Sequence, residues 1–304
     1  MHTINICILT FQRERLLETC LASLAVLKNP DNCKLIITVI DNDAAEASRH
    51  VVETFRDQSA IEVIYLCEPS RGIPVARNAA IVKSQELNAD YIAFIDDDEW
   101  VQSDWLVQLY SYCQKMGGDI VVSGNVISEF PKDTPSHIKS SLQRKHRATG
   151  KELNSCATNN VLFPISLTTE MGLRFDVSNP LAGGTDTIFF AQAKSRGVSI
   201  YKCSEAIVFE LVPASRANIK WISKRKFRAG ITESWRKQHN GESKVNIFVA
   251  SLFHITKNFL KAVVMILVNN KSQRNRAWFK CSKSAGVLYG LFGGQVSSYS
   301  VIDS

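Results

Sequence analysis

The sequence has no Cys-x-x-Cys pair. Its eight cysteines (Cys7, Cys20, Cys33, Cys67, Cys113, Cys156, Cys203 and Cys281) are scattered without an even framework. That argues against a zinc ribbon and a disulfide scaffold, and the expected state is buried, reduced thiols, with Cys7 and Cys67 lying in apolar runs. The six histidines show no paired ligand spacing, which speaks against a zinc site. Met1–Thr10 lacks a charged segment leading into an apolar core, so no secretory leader is expected and the chemistry is expected in the cytosol. Internal repeats and low-complexity tracts are absent. Acidic residues nearly vanish from the last third: Pro213–Ser304 holds 16 Lys+Arg and 3 Asp+Glu, against 20 and 26 in residues 1–212. A net −6 over the first two-thirds makes a poor nucleic-acid surface. The +13 remainder could face anionic lipid, a phosphorylated ligand or nucleic acid.

What is present suits a globular protein of one or two domains: 304 residues, 45% apolar and 21% charged. Ile4–Thr10 is a short apolar run, followed by the polar loop Phe11–Arg15 and by helical spacing over Leu16–Leu27. The alternation continues. Leu35–Ile40, Ile61–Leu66 and Tyr91–Ile95 read as strands; Ala45–Phe55 and Ile73–Leu87 read as helices, with Pro74 tolerated in a first turn. Such alternation means βαβ units around a buried parallel sheet, where ligands bind beyond the carboxyl ends of the strands. Thr10, Asp41 and Asp96 fall at those ends and should converge. Ile120–Ile127 is a further strand, Ser128–Lys151 a polar loop, and Cys156–Phe163, Ile188–Lys194 and Val198–Cys203 resume a mixed α/β pattern. From about Pro213 the chain becomes basic and helical. The division expected is therefore 1–212 and 213–304.

Asp96-Asp97-Asp98 directly follows the fourth strand. If the extended backbone continued through it, Asp96 and Asp98 would share a face. Crowded carboxylates repel unless a cation neutralises them, and Mg²⁺ characteristically takes one or two protein carboxylates plus substrate phosphates. A solvated acidic turn, or a cap for a helix over Trp100–Tyr112, is the alternative for the triplet alone. Its place at a strand end, in line with Asp41, favours the cation.

These segments resemble a known group. Ile8-Leu9-Thr10-Phe11-Gln12-Arg13, Val39-Ile40-Asp41-Asn42, Arg71-Gly72-Ile73-Pro74-Val75-Ala76-Arg77-Asn78, Phe94-Ile95-Asp96-Asp97-Asp98 and Gly183-Gly184-Thr185-Asp186 are similar, in order, to the successive motifs of family 2 glycosyltransferases. The finer likeness is to bacterial glucosyltransferases of succinoglycan-type exopolysaccharide assembly. The resemblance covers about Ile4–Arg228 and implies an α/β fold of the GT-A type. It implies inverting transfer from a nucleoside-diphosphate sugar, with UDP expected, to an acceptor hydroxyl, using Mg²⁺ or Mn²⁺.

The same resemblance assigns roles. Thr10, Phe11 and Arg13 line the nucleotide, Asp41 receives the base N–H, Arg77 reaches the base or ribose, and Asp96 contacts the ribose. Asp98 holds the metal, and Glu210 stands where relatives place a further ligand. Asp186 is the general base. Asn159, Asn160, Arg225 and Arg228 fall on the acceptor side. The residue types suit these tasks: a buried carboxylate accepts a base N–H, and Arg offers planar paired donors. Ordinary structural uses compete at Asp41 (a helix cap), Arg77 (a surface ion pair) and Asn159-Asn160 (a turn). Thr185 stands where many relatives have Glu, and Phe11 where Tyr is commoner.

Val245–Val268 is apolar but interrupted by His254, Lys257 and Lys261, so it reads as an interfacial or core-packed helix rather than a membrane span. With the basic residues around it, this suggests attachment to the anionic cytoplasmic face of the inner membrane, and an acceptor that is lipid-linked or an oligosaccharide. No nucleic-acid partner is expected. A nucleotidyltransferase would need a Gly- and Lys-rich loop after the first strand, which Phe11–Arg15 is not. A catalytically inactive sugar- or membrane-binding scaffold would have lost Asp96, Asp98 or Asp186, and all are present.

Overall fold

The computed structural model describes residues 1–144, 146–178, 184–239 and 241–294. Its first part alternates as the sequence does: β1 (His2–Thr10), α1 (Glu14–Leu24), β2 (Cys33–Asp41), α2 (Arg49–Arg56), β3 (Glu62–Cys67), α3 (Ile73–Glu86) and β4 (Tyr91–Asp96). The four strands pair in parallel in the order β3-β2-β1-β4. β1 shows why its run is continuously apolar: Ile4, Ile6 and Ile8 face one buried cluster and Cys7 the other. A strand covered on both faces has no polar side to show.

Beyond Asp96 the chain departs from simple alternation. It makes β5 (Glu99–Val101), α4 (Trp105–Lys115), β6 (Val121–Glu129), α5 (Ser136–Leu142), β7 (Asn160–Pro164), α6 (Ser166–Thr169), α7 (Thr185–Ser195) and β8 (Ile200–Leu211). β7 joins antiparallel to β4 and β6, giving one eight-stranded sheet ordered β3-β2-β1-β4-β7-β6-β8-β5. Three expectations are corrected here. The helix expected over Trp100–Tyr112 begins only at Trp105, because Glu99–Val101 pairs with Val208–Glu210 as a strand. The stretch expected as one polar loop contains the end of β6 and all of α5, whose Ile138 is buried against Ile222 and Phe279. The helix expected from Ala45 starts at Arg49.

All eight cysteines are free, and all but Cys67 are buried. Burial pushes Cys113 up to about 12, which keeps the thiol inert.

Residues after Pro213 form α8 (Ile219–His239), α9 (Lys244–Leu267) and α10 (Lys271–Leu291). α8 and α10 pack unusually close. A Cβ on Gly286 would lie 1.9 Å from the Phe227 carbonyl oxygen, and one on Gly230 2.0 Å from that of Lys283. Only glycine permits such backbone contact. α9 lies on α10 through a narrow stripe of Ile247, Ser251, Asn258 and Ala262.

Candidate active site at the carboxyl ends of the strands

The strand register puts Thr10 opposite Asp41 and Leu9 opposite Asp96, so the carboxyl ends of β1, β2 and β4 do meet. Asp41 is fully buried. Its carboxylate accepts the Asp43 N–H at 3.1 Å, the Ser48 N–H at 3.1 Å and the Tyr65 hydroxyl at 2.9 Å. Burial raises its pKa, and these three donors oppose the rise. Asp41 therefore holds the 43–48 loop that leads into α2 without capping the helix, whose N-cap is Ser48, and can still accept a further hydrogen bond. Asn42 pins the next loop: its amide donates to the Glu68 and Ser70 carbonyls, and its oxygen accepts the Gly72 N–H at 2.8 Å. Gly72, with φ of 153°, opens α3 there.

The acidic triplet does not continue as a strand. β4 stops at Asp96 and the chain turns at Asp97-Asp98, which overturns the shared face expected for Asp96 and Asp98. The turn separates the three carboxylates by partner. Asp97 points inward, accepting from the Thr10 hydroxyl at 2.9 Å and from Arg13 at 3.1 Å. Asp98 stands partly exposed, with Arg13 at 3.5 Å and Arg216 at 3.6 Å. Asp96 is pushed up to about 7 by burial and by Asp98, against the pull of Arg77. Asp97 rises to about 6 through burial, opposed by Arg13. Buried Glu99 is raised well above its usual range by burial and Asp96; it accepts from Asn159 at 2.6 Å and from the Asp96 N–H at 3.3 Å. Carboxylates crowded in this way are what a bound cation would relieve. Among the described residues no three His, Cys, Asp or Glu side chains form a preformed metal cage. The donors available are hard carboxylate oxygens, which suit Mg²⁺ or Mn²⁺ completed by a ligand's own oxygens.

Glu210 lies across from Glu99 in the β5–β8 pair. Its carboxylate is held by Arg144 at 3.0 Å and by the Ser128 hydroxyl at 2.5 Å, and the basic partner keeps its pKa low despite burial. Arg225 stacks 5.4 Å from the Trp221 ring. Lost hydration and the like charges of Arg144, Arg216 and Arg228 lower its pKa. Arg144, Arg216 and Arg225 thus gather beside Asp98 and Glu210, with Arg228 close to Arg225; Arg144 and Arg216 carried no sequence signal.

Arg77 on α3 donates to the Thr185 hydroxyl at 3.2 Å and lies 5.3 Å from the Phe175 ring. That bond ties α3 to the first turn of α7, where Asp186 sits and accepts the Thr187 N–H at 2.7 Å. Gly184 precedes it with φ of 91°, and a Cβ there would meet Thr232 of α8 at 2.6 Å. Gly183 of the same motif lies outside the described residues. Phe11 carries the Arg71 guanidinium over its ring at 4.5 Å.

Asn159 and Asn160 separate in role. Asn159 holds Glu99. Asn160 donates to the Asn125 and Ala206 carbonyls and accepts from the Trp105 indole at 2.8 Å. With its amide engaged inside the sheet, Asn160 has no donor left for a ligand, and its place is structural. Sequence reasoning gave no role to Asp97 and Glu99, although they adjoin the residues it named; only their inward orientation distinguishes them.

The glycosyl transferase family 2 model matches residues 5–172. The chain is 32% identical to the succinoglycan biosynthesis protein ExoM of Rhizobium meliloti, over 95% of this chain and 93% of that protein. It is 27% identical to the putative glycosyltransferase EpsH of Bacillus subtilis, over 49% of this chain and 40% of that one. Among solved structures, the mannosyltransferase PcManGT from Pyrobaculum calidifontis, in complex with GDP-Man and Mn²⁺, superposes with a TM-score of 0.67 at 15% identity, over 96% of this chain and 88% of that one. S. aureus TarS 1-349 with UDP-GlcNAc gives 0.54 at 14% identity, over 97% and 93%. The fold is therefore of the GT-A type, with a helical extension at its carboxyl end. The strand-end site lies largely within the matched segment, and by that match the chain belongs to glycosyl transferase family 2.

Proposed function

We propose that the chain moves a sugar from a nucleoside-diphosphate sugar, UDP being the expected nucleotide, to an acceptor hydroxyl with inversion, in assembly of a bacterial surface or extracellular polysaccharide. The observation that supports this reading is the Arg77–Thr185 bond, since Arg77 also acts on Asp96 and Thr185 opens the helix turn that carries Asp186. The polysaccharide relative and the nucleotide sugars named for structures of the same fold support the choice of donor.

In this scheme Asp41 accepts the base N–H, Thr10, Phe11 and Arg13 line the nucleotide, and Asp96 takes the ribose. Asp98 would hold Mg²⁺ or Mn²⁺, with Glu210 available if Arg144 yields it. When bound, the ion supplies Lewis-acid neutralisation of the diphosphate. Asp186 accepts the proton of the acceptor hydroxyl as its oxygen attacks the anomeric carbon from the face opposite the departing diphosphate. The anomeric C–O bond breaks, and its electron pair leaves with the nucleoside diphosphate. Residues 1–212 would carry donor binding and catalysis, and 213–304 the approach to the acceptor.

That second part also suggests location. α9 is long and apolar enough to cross a membrane by length and composition. Lys257 and Lys261 instead favour a helix lying in the interface of an anionic, cytoplasmic leaflet, where each nearby Lys or Arg adds about 1 kcal/mol.

The test is thermal shift against a panel of nucleotide sugars with and without Mn²⁺. A UDP-sugar should raise the midpoint only with the ion, because a ligand of the native state stabilises by mass action. Asp98→Asn should lose that shift. Asp186→Asn should keep it while turnover falls about 100-fold. No shift with any nucleotide sugar would sink the reading.

A further inference from the structure

Two groups of like charge interleave beside the strand ends, and two ion pairs join them. Arg144 grips the Glu210 carboxylate with Nε at 3.3 Å and Nη2 at 3.0 Å, and Arg216 stands 3.6 Å from Asp98. Glu210 lies across the β5–β8 pair from Glu99, the residue after Asp98, so the two ion pairs are neighbours. All four side chains are partly exposed. Arg13 also approaches Asp98, at 3.5 Å, but Asp97 anchors it at 3.1 Å.

Three observations mark both pairs as exchangeable. Asp98 and Glu210 are the carboxylates that the glycosyl-transfer reading gives to Mg²⁺ or Mn²⁺, so a guanidinium on each holds a cation's place. Arg144 lies just past α5, whose C-cap is Gln143, and Arg216 in the turn between β8 and α8, so no regular element holds either. Partly exposed ion pairs of this kind are weak. The arginines also crowd one another: burial, then the like charges of Arg144, Arg216 and Arg228, push Arg225 down despite Glu210, and an anion would relieve them. A divalent cation alone would expel guanidiniums that then face only each other. A diphosphate alone would strip Asp98 and Glu210 of their partners. Arriving together, the two ligands leave every charge paired.

We propose that Arg144 and Arg216 are diphosphate-binding residues that exchange partners: each yields its carboxylate to the cation and turns its planar fork to the phosphate oxygens of the donor. The exchange makes cation and nucleoside diphosphate bind as one unit, each raising the other's affinity by the same factor. This rests on the glycosyl-transfer reading above and adds two donor-binding residues to it.

The test separates the two ligands. Binding of Mn²⁺ alone to the full-length protein is followed by loss of the free ion's electron paramagnetic resonance signal, and UDP is titrated calorimetrically with Mn²⁺ present. Arg144→Gln and Arg216→Gln each remove a competing cation, so each should bind Mn²⁺ alone at least about threefold tighter than wild type. The same variants should bind UDP with Mn²⁺ at least about fivefold more weakly, through loss of a charge-assisted contact. Lys220→Gln removes an equal charge from an exposed position four residues after Arg216 and should change either affinity by less than about twofold. Mn²⁺ bound no tighter by either variant would overturn the exchange, and UDP bound as well as by wild type would overturn the diphosphate role. Matching changes in Lys220→Gln would reduce both effects to net charge and overturn the proposal as well. Wild type that binds no UDP even with Mn²⁺ would instead count against glycosyl transfer, while the titration with Mn²⁺ alone still decides whether the arginines hold the cation's place.

Discussion

Ile4, Ile6 and Ile8 of β1 are wholly buried, while in α9 Val249, Phe253, Leu260 and Leu267 stand 59%, 61%, 59% and 81% exposed. Both segments are apolar, yet α9 turns its polar Ser251 and Asn258 inward against α10. A helix in water does the reverse. The charge differs as well. No acidic residue occurs from Ser243 to Gly294, where eight Lys and Arg are found, whereas the strand ends of the sheet crowd carboxylates together. The sheet half thus follows the rules of a water-soluble core. The α9 half instead leaves an apolar face exposed, and apolar patches of this extent mark interaction sites.

The largest effect that could break the comparison lies in the sheet half. Trp105 is fully buried and its indole holds Asn160, so Trp105→Ala should cost about 4 kcal/mol in denaturant unfolding, near the middle of the range for such truncations. A loss under about 1 kcal/mol would mean that this core is loosely packed.

Next comes the seam of the helical half. Gly286→Ala puts a methyl group against the Phe227 carbonyl, and overpacking of this kind costs about 1–3 kcal/mol. The same measurement checks it. No loss would show that α8 and α10 separate easily and that the helical half is softer than the sheet.

Lys202 sharpens the comparison through pH. Burial lowers its pKa to about 8, and its ammonium donates to the Gly124 carbonyl. Below about pH 8 both folded and unfolded chains hold the proton, and the folded state bears the full cost of the buried charge. As pH rises toward the ordinary lysine range the folded state loses its proton first, so stability recovers. Wild type should therefore gain on Lys202→Met between pH 8 and 10 in urea midpoints. Parallel profiles would exclude a buried ammonium.

The smallest effect on stability, and the most telling, is expected on α9. Phe253→Glu with Leu260→Glu should change unfolding by no more than about 0.5 kcal/mol, the usual range for surface positions. The same pair should abolish flotation with anionic vesicles, which full-length wild type should show. A large stability loss would mean that the face is core in solution, and unchanged flotation would move the contact elsewhere.

Much of this was legible beforehand for a physical reason: the alternation of apolar runs and helical spacings records local burial, and β1 to β4 follow from it. Placing Thr10, Asp41 and Asp96 together followed too, because parallel strands must end at a common edge. The antiparallel insertion of β7, and β5 in place of a helix start, depend on pairing between segments about 70 to 110 residues apart, which no local pattern encodes.

By itself, then, the sequence determined the α/β core, the strand-end carboxylates and the charge split, since each depends on residue type and short spacing. Tertiary structure decided the rest. It turned the triplet so that Asp97 faces Arg13 while Asp98 stays accessible, and engaged the Asn160 amide inside the sheet. It brought Arg144 and Arg216 to the acidic site from distant segments, and set α9 with its apolar face outward. Orientation and long-range pairing depend on which surfaces are already filled by the remainder of the chain, and that is fixed only when the chain packs.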